Sequence, residues 1–383
     1  MRSVEISVVL ALIAIVGCAG DRDRRDKKDQ HDPWEVKELK KVGFICEYSP
    51  DGNSYLVNKE DAKGIVQVYI GKTGSTELTC ITDTQQPGGP KPERLKMQPH
   101  WHPGGRWIVM AVERDEYAKP WMSSPEIIEG TLQCGIWTNI WAVTPDGKKW
   151  HRLSDFKSNV KGTADGFTGV AFTPDGKKGV WSQIVDGNIF QYWPFGRWEL
   201  IVADWEEVNG VPRFANHKDI TPEGMHWNEP GNFHPDGQQL LITGSVEKDQ
   251  QGMDQYILNI RTGKLTNLNN TPDVWDEHGV FSPDGEKIIW MSALPYRANP
   301  NSSKVLSIRT EFMLMNKDGS DVRQLTRFRE EGSPEYHQGI AACAIWNPDG
   351  KTVQMTSLVF PNYEFWQLTF AGEKEKRRGN KRE

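Results

Sequence analysis

Two stretches of the sequence carry carboxylates and an imidazole at matching positions. Segments 227–233 (WNEPGNF) and 275–281 (WDEHGVF) follow one pattern, which places Glu229 and Glu277 at equivalent points and His278 beside the second. Gathered in one place, such side chains could hold a divalent metal ion. They could equally serve as an acid and a base on a sugar. Three further histidines stand in corresponding segments and complete the candidate set: His100, His226 and His337.

A structural explanation competes with both kinds of chemistry. Polar side chains line a water-filled channel simply because water is there, and perturbed or clustered charges also occur in purely structural networks. Two other histidines, His102 and His234, are expected to be turn residues, because they fill a slot that elsewhere holds small polar residues: Ser49, Thr173, Ser282 and Asn347.

The elements that must position the candidate residues are defined by a turn motif that occurs six times. An aromatic residue, one variable residue, proline, aspartate (once glycine) and glycine stand at 48–52, 101–105, 172–176, 233–237, 281–285 and 346–350. Proline presets φ for the turn, aspartate tolerates the turn geometry, and glycine takes the positive φ that ends it. The motifs are spaced by 48 to 71 residues, which is typical of repeated four-stranded units. The sequence therefore predicts an all-β fold, a six-bladed β-propeller of four-stranded antiparallel blades.

The two ends of the predicted propeller complete one blade together. The sixth unit has only three strand-like segments, 341–347, 351–359 and 364–370, and so lacks its outermost strand. The segment 34–42 is strand-like but belongs to no unit of its own. We therefore expect this N-terminal strand to pair in blade six, which closes the ring and removes two open edges. The propeller is predicted to span residues 34–372.

The turn motif and a later strand ending resemble those of the TolB-like propellers. The ending, leucine followed by threonine or serine, occurs here as QLT at 324–326 and as RLS at 152–154. The resemblance covers about residues 34–372 and implies the six-bladed fold. It implies no particular activity, because one fold hosts many functions.

A second resemblance is to the oligogalacturonate lyases, which are also six-bladed propellers with this turn. Proteins of that family hold a metal ion with histidine and glutamine near the channel mouth. The segment 98–102 (QPHWH), His278 and the pair His337-Gln338 look similar to such ligands. This resemblance implies a divalent metal in the central funnel and a polysaccharide lyase-like activity.

The N-terminus predicts export from the cytoplasm. The apolar run within residues 1–17 is too short for an ordinary transmembrane helix, so this segment is predicted to be a signal peptide. It ends in IVGC, which resembles the bacterial lipobox and implies a lipid on Cys18; an ordinary signal peptide with a chance cysteine is the alternative. Because Ala19 follows, the resemblance implies the outer membrane of a Gram-negative bacterium. Residues 18–33 and 373–383 are too polar to bury surface, which predicts a flexible tether and a disordered tail.

The remaining cysteines are even in number, which favours two disulfides in an oxidising compartment. Cys46 and Cys343 lie on neighbouring innermost strands across the ring closure, which makes them one candidate pair. Cys80 and Cys134 form the other. The alternative is four buried free thiols.

Several functions are excluded by composition and by missing motifs. A net charge of −6 argues against a nucleic-acid partner, and the chain holds no Gly-x-Ser-x-Gly elbow, phosphate-binding glycine loop, CxxC or His-Glu-x-x-His.

Four tryptophans are assigned to long excursions of blades two and three: Trp121, Trp193, Trp198 and Trp205. They could form a binding patch for a sugar or a partner, or they could cap the side of a blade. The sequence thus favours a cell-envelope lipoprotein that acts as a binding or scaffold module for a protein or glycan. The alternative is a metal-dependent carbohydrate-active enzyme.

Overall fold

The computed structural model of the protein describes residues 34–39, 43–115, 135–156, 165–186, 196–246, 252–304, 307–359 and 362–370. Within these ranges the strands form six four-stranded antiparallel sheets, each built from strands that are consecutive in the chain except for the last. The predicted six-bladed propeller is therefore confirmed.

The first three blades contain the following strands, from the innermost outwards. Blade one has β2 (Phe44–Tyr48), β3 (Ser54–Glu60), β4 (Val66–Lys72) and β5 (Leu78–Cys80). Blade two has β6 (Lys96–Trp101), β7 (Ile108–Glu113), β8 (Thr138–Val143) and β9 (Trp150–Arg152). Blade three has β10 (Phe167–Phe172), β11 (Lys178–Asp186), β12 (Arg197–Val208) and β13 (Val211–Asp219).

The other three blades follow the same order. Blade four has β14 (Trp227–Phe233), β15 (Gln239–Ser245), β16 (Asp254–Asn259) and β17 (Leu265–Asn267). Blade five has β18 (Asp276–Phe281), β19 (Lys287–Ser292), β20 (Glu311–Asn316) and β21 (Arg323–Gln324), with two short 3-10 helices, Leu294–Tyr296 and Pro300–Ser303, before β20. Blade six has β22 (Ile340–Trp346), β23 (Thr352–Val359), β24 (Asn362–Phe370) and the N-terminal β1 (Trp34–Glu38).

The ring closes through β1, as the sequence predicts. This strand pairs antiparallel with β24, from Trp34 opposite Phe370 to Glu38 opposite Trp366. The indole of Trp34 also donates a hydrogen bond of 3.1 Å to the carbonyl of Leu325 in blade five. The closing strand therefore satisfies the open edge of β24 and ties blade six to its neighbour.

The turn motif works through local hydrogen bonds and through contacts with the next blade. In blade two, His102 accepts a hydrogen bond from the amide of Gly104 at its Nδ1, while its Nε2 lies 2.9 Å from the carbonyl oxygen of Gly176 in the turn of blade three. Its ring stacks on Trp205 with the centroids 4.7 Å apart. His234 likewise accepts from the amide of Asp236 in its own turn. Both histidines are turn residues, as expected.

Two of the four tryptophans assigned to the excursions belong to the blades instead. Trp198 and Trp205 lie on β12, a 12-residue strand of blade three. Trp198 is buried, edge-on to Trp227 of blade four at 5.0 Å. Their assignment outside the repeat is wrong, because the third strand of this blade is longer than its counterparts. Trp121 and Trp193 lie outside the described residues.

Every innermost strand contains a change of register against its neighbour, the signature of a β-bulge. The shifts fall between Ile45 and Glu47, Met97 and His100, Thr168 and Ala171, Pro230 and Phe233, Glu277 and Val280, and Ala341 and Cys343. A bulge adds one unpaired residue and re-aims side chains. The six bulges therefore decide which side chains reach the central channel.

The predicted export signal, tether and tail lie outside the described residues, and so does Cys18. Lipid attachment and the boundaries of these segments accordingly stay predictions. Across the described ranges, no helix has the length and apolar character needed to cross a bilayer.

Candidate functional site

Three of the predicted site residues meet at the channel where blades four and five adjoin. Glu229 comes from β14, and Glu277 and His278 come from β18. One potential ligand atom of each lies within 4.8 Å of the others, and Nε2 of His278 is 3.4 Å from Oε2 of Glu229. No second group of three or more histidine, cysteine, aspartate or glutamate side chains converges in this way among the residues that the structure describes.

The position of these carboxylates follows from the repeat. Both stand four residues before the aromatic residue of the turn motif, where the other blades carry Phe44, Met97, Thr168 and Ala342. Strong negative charge at this level of the channel is thus confined to two adjacent blades. Polar side chains that only line a water-filled channel would not require negative charge to be concentrated on two adjacent blades.

His278 reaches the group because of the bulge in β18. Its φ is +55°, a left-handed conformation that is uncommon for a residue other than glycine and is often found where function holds a residue in place. The imidazole contacts blade four through Glu229 and blade six through the carbonyl oxygen of Ala342, which is 2.9 Å from Nδ1. It therefore lies across the innermost strands of three successive blades.

Each of the three side chains also makes a hydrogen bond to a residue outside the group. The hydroxyl of Thr168 donates to Oε1 of Glu229 over 3.2 Å. The indole of Trp275 donates to Oε2 of Glu277 over 2.9 Å. The Nδ1 of His278 faces the Ala342 carbonyl, which leaves Nε2 turned towards Glu229.

The three groups influence one another's protonation. Burial opposes ionisation of Glu229, yet attraction to His278 and hydrogen bonds hold the pKa of this carboxyl below its ordinary value. Burial raises the pKa of Glu277, and repulsion from Glu229 adds to the rise. Burial alone would lower the pKa of His278, but the attraction of Cys343, Glu277 and Glu229 holds it well above the usual value. The cluster therefore attracts positive charge.

A second polar pair faces the channel on blades one and two. Oε2 of Glu47 accepts a 2.5 Å hydrogen bond from the amide of Trp101 and lies 3.8 Å from Nδ1 of His100. Burial raises the pKa of Glu47 to about 8 and lowers that of His100 to about 4, so both neutral forms are favoured near neutral pH. His100 is thus placed away from the cluster of Glu229, Glu277 and His278.

The sequence analysis did not include Glu47 among the candidate residues, although its position in the repeat is the same as that of His100. Glu47 and His100 both stand immediately before the aromatic residue of their turn motifs. In blade four the same position is Asn232, whose side chain accepts a 2.8 Å hydrogen bond from the amide of Phe281 in blade five. Glu47 makes the matching bond to Trp101 between blades one and two, so part of its role is to join blades.

The other two predicted histidines lie outside the cluster. Nε2 of His337 is 2.6 Å from the hydroxyl of buried Ser357, and its ring packs between Phe328 and Trp366. Because the amide of Gly339 donates to its Nδ1, the proton sits on Nε2 and the ring cannot serve as a base towards Ser357. His226 is buried at the start of blade four and does not join the group of three.

The described cysteines are free thiols in the structure: Cys46, Cys80 and Cys343. The predicted bridge between Cys46 and Cys343 is not formed in it; Sγ of Cys343 instead lies 3.7 Å from Nδ1 of His278, and the thiol of Cys46 contacts Oδ1 of Asn58 at 3.4 Å. Burial raises the pKa of the Cys46 thiol, which makes it a poor nucleophile. Cys134, the predicted partner of Cys80, lies outside the described residues.

The donor set of the cluster suits a metal ion. Two carboxylates and one imidazole offer oxygen and nitrogen ligands of the kind that zinc, manganese and iron accept. The side chains of Glu229 and His278 are 20% and 32% exposed, so a small ion or a ligand group can reach them from the channel.

The comparisons with known proteins give information about the fold and not about the activity. No protein-family model matches the sequence, and no curated protein sequence matches it. Among solved structures, the chain is similar to TolB from Acinetobacter baumannii, at 14% identity and a TM-score of 0.48, over 85% of this chain and 62% of that one. It is also similar to a TolB-assigned protein from Agrobacterium tumefaciens, at 15% identity and a TM-score of 0.48, over 75% of each chain.

A third solved structure is an oligogalacturonate lyase in complex with manganese. The identity is 12% and the TM-score 0.48, over 88% of this chain and 93% of that one. The strand order of the present chain establishes the six four-stranded blades. The architecture is that of a six-bladed propeller, as the turn motif predicts.

Proposed function

We propose that this chain is a lipid-anchored binding protein of the bacterial cell envelope, whose propeller takes a protein or glycan ligand at the channel beside blades four and five. The observation that carries the proposal is the convergence of Glu229, Glu277 and His278 on the channel. Ligand sites are concave places where a few polar groups converge on one point.

The asymmetry of the channel supports a site rather than a uniform lining. Equivalent positions in the other blades carry phenylalanine, methionine, threonine and alanine.

The anchor rests on the sequence alone. The segment before Cys18 has the pattern of a lipoprotein signal, and the polar residues 18–33 that follow suit a tether. A propeller carried on such a tether can meet ligands near the membrane surface.

Photo-crosslinking from the channel tests the binding role. In cells that express the full chain, benzoylphenylalanine is placed at Ala342, which is half-exposed on the innermost strand of blade six. The matched control places it at Val322, which is 47% exposed between β20 and β21. We expect a discrete crosslinked adduct from position 342 that is absent from position 322.

The crosslinking result is then examined in a Glu229→Gln and Glu277→Gln background. Loss of the adduct supports a ligand site at the cluster. Adducts that are equal from both positions, or unchanged in that background, contradict the proposal. Mass spectrometry of the adduct distinguishes a protein ligand from a glycan.

A second candidate function is favoured by the Glu47–His100 pair. A protonated carboxyl and a neutral imidazole 3.8 Å apart could act as acid and base in a metal-dependent carbohydrate-active enzyme of the polysaccharide lyase type. Incubating the full chain with polyuronates and a divalent ion tests this candidate. Unsaturated product that forms with the wild type and is lost in Glu47→Gln and His100→Gln variants would favour the enzyme over the binding module.

A further inference from the structure

We propose that Glu229, Glu277 and His278 bind a divalent transition-metal ion, with Mn²⁺ or Zn²⁺ as the class of cation. The inference deepens the proposed function, since it names a component of the same ligand site. It is carried by the arrangement of the donor atoms, their supporting hydrogen bonds and the charge of the group.

One ligand atom of each of the three residues lies within 4.8 Å of the others. Oε1 of Glu229 is engaged by Thr168 and Oε2 of Glu277 by Trp275, while Nδ1 of His278 faces the carbonyl of Ala342. This leaves Oε2 of Glu229, Oε1 of Glu277 and Nε2 of His278. Three protein ligands with the remaining positions open are typical of sites where a metal also binds a small molecule.

The supporting hydrogen bonds are those that metal sites use. A ligating histidine usually donates its other ring N–H to a carbonyl or carboxylate, which fixes the tautomer and the ring orientation. Here the Ala342 carbonyl, 2.9 Å from Nδ1, selects the proton on Nδ1 and leaves the Nε2 lone pair available to an ion. The ion takes the position at Nε2 that a proton would otherwise hold.

The burial of Glu277 favours a cation beside its carboxylate. The residue is only 9% exposed, and its carboxylate accepts a hydrogen bond from the neutral indole of Trp275. A buried carboxylate requires a positive partner as well as a hydrogen bond. Two carboxylates balance a divalent ion when the imidazole is neutral, which makes the complete site electrically neutral.

The imidazole decides the class of ion. Calcium and magnesium prefer an all-oxygen environment, whereas imidazole suits manganese, iron, zinc and related metals. The side chains of Glu229 and His278 are partly exposed, so an ion held here can be reached from the channel. It can therefore accept a carboxylate or hydroxyl oxygen from the bound protein or glycan.

Manganese titration of the full chain tests the inference. The protein is purified in detergent, stripped with a chelator, and titrated while free Mn²⁺ is followed by electron paramagnetic resonance. We expect one saturable high-affinity site in the wild type. Glu277→Gln and His278→Asn should each weaken it by at least about tenfold, since even the partners behind metal ligands contribute that much. Asparagine is chosen because it tolerates the positive φ of position 278.

The matched control is Glu77→Gln, which removes an exposed carboxylate that is not part of the group. Its affinity for Mn²⁺ should stay within about twofold of the wild type, a smaller change than the loss of any ligand. Circular dichroism shows whether each variant keeps the propeller fold. If a ligand variant unfolds, the wild type is used for a competition experiment instead. Zn²⁺ should displace Mn²⁺ from the site, whereas Ca²⁺ should not.

Absence of a saturable site in the folded wild type, or a site that the two ligand variants leave unchanged, overturns the inference. In that case the imidazolium of His278 is itself the counterion of the carboxylates. The proposed function is judged separately by crosslinking from Ala342. If the adduct forms in chelator-treated cells as well as in untreated ones, the ligand site is supported and the metal is not part of it. If the metal binds but no adduct forms, the metal site is supported and the binding function is contradicted.

Discussion

Nδ1 of His278 and the main-chain oxygen of Ala342 lie 2.9 Å apart, across the boundary between blades five and six. The same imidazole reaches Glu229 in blade four at its other nitrogen. One side chain is thereby oriented by two neighbouring blades. The candidate site exists only when the ring is assembled.

Replacement of Thr168 by valine should weaken the cluster without removing a member of it. The hydroxyl of Thr168 orients Glu229 from blade three, and valine keeps the shape while it loses the donor. We expect Mn²⁺ affinity to fall by about tenfold, at the lower end of the range for residues that hydrogen-bond to metal ligands. Thr168→Ser, which restores the hydroxyl, should recover most of the loss. Equal affinities for the valine and serine variants would contradict this role.

Replacement of Trp34 should show how much the closing strand stabilises the ring. Trp34→Ala removes the contact with Phe370 and the hydrogen bond to Leu325. Because the indole is only partly buried, we expect a loss of about 2–3 kcal/mol in unfolding free energy, at or just below the usual range for tryptophan to alanine. Trp34→Phe keeps a ring and should lose about 1 kcal/mol, the worth of one hydrogen bond. Urea unfolding measures both. Losses below about 0.5 kcal/mol in each would place the strand outside the cooperative unit.

Alanine in the turn of blade three should be more harmful than alanine in the turn of blade six. Gly176 and Gly350 occupy the same motif position with φ of +70° and +64°. Either substitution costs about 1–2 kcal/mol for the left-handed backbone. A Cβ at Gly176 would also lie 2.9 Å from the ring of His102, whereas nothing lies within 4 Å at Gly350.

We therefore expect Gly176→Ala to cost at least about 1 kcal/mol more than Gly350→Ala in urea unfolding. Combining Gly176→Ala with His102→Ala should remove that excess, which a double-mutant cycle measures. An excess that persists without the histidine ring would show that the contact between the two turns is not its cause.

Glu311 should make the stability of the protein depend on pH. This fully buried carboxyl accepts hydrogen bonds from Thr326, Phe328 and Tyr296, yet burial raises its pKa to about 7 from 4.5. Below pH 4.5 it is protonated in both states and has no effect. As the pH rises to 7, the unfolded chain releases its proton first, so unfolding becomes easier by up to about 3 kcal/mol and then changes no further.

The measurement compares urea unfolding of the wild type with that of Glu311→Gln, which mimics the protonated form. The wild type should lose stability relative to this variant between pH 4.5 and 7. Glu77→Gln, at an exposed position, is the control and should follow the wild type. A constant difference between the wild type and Glu311→Gln across this range would contradict the raised pKa.

The number of blades and the closure of the ring could be predicted from the sequence because both depend on local physics. The turn motif needs only proline, a short acidic residue and a glycine with positive φ, such as Gly176 at +70°, and it repeats with an aromatic residue at a constant offset. The unpaired segment beginning at Trp34 and the three-stranded last unit then leave one pairing that removes both edges. The equivalence of Glu229 and Glu277 follows from the same repeat.

Which side chains meet across blades was decided only by the tertiary structure. The bulge of β14 begins after Pro230, one residue later in the motif than that of β18, which begins after Glu277. A one-residue difference in register turns a side chain to the other face of a strand, and no sequence pattern states it. The contact of His278 with Glu229, the packing of His337 against Ser357 and the pairing of His100 with Glu47 therefore became visible only in the structure.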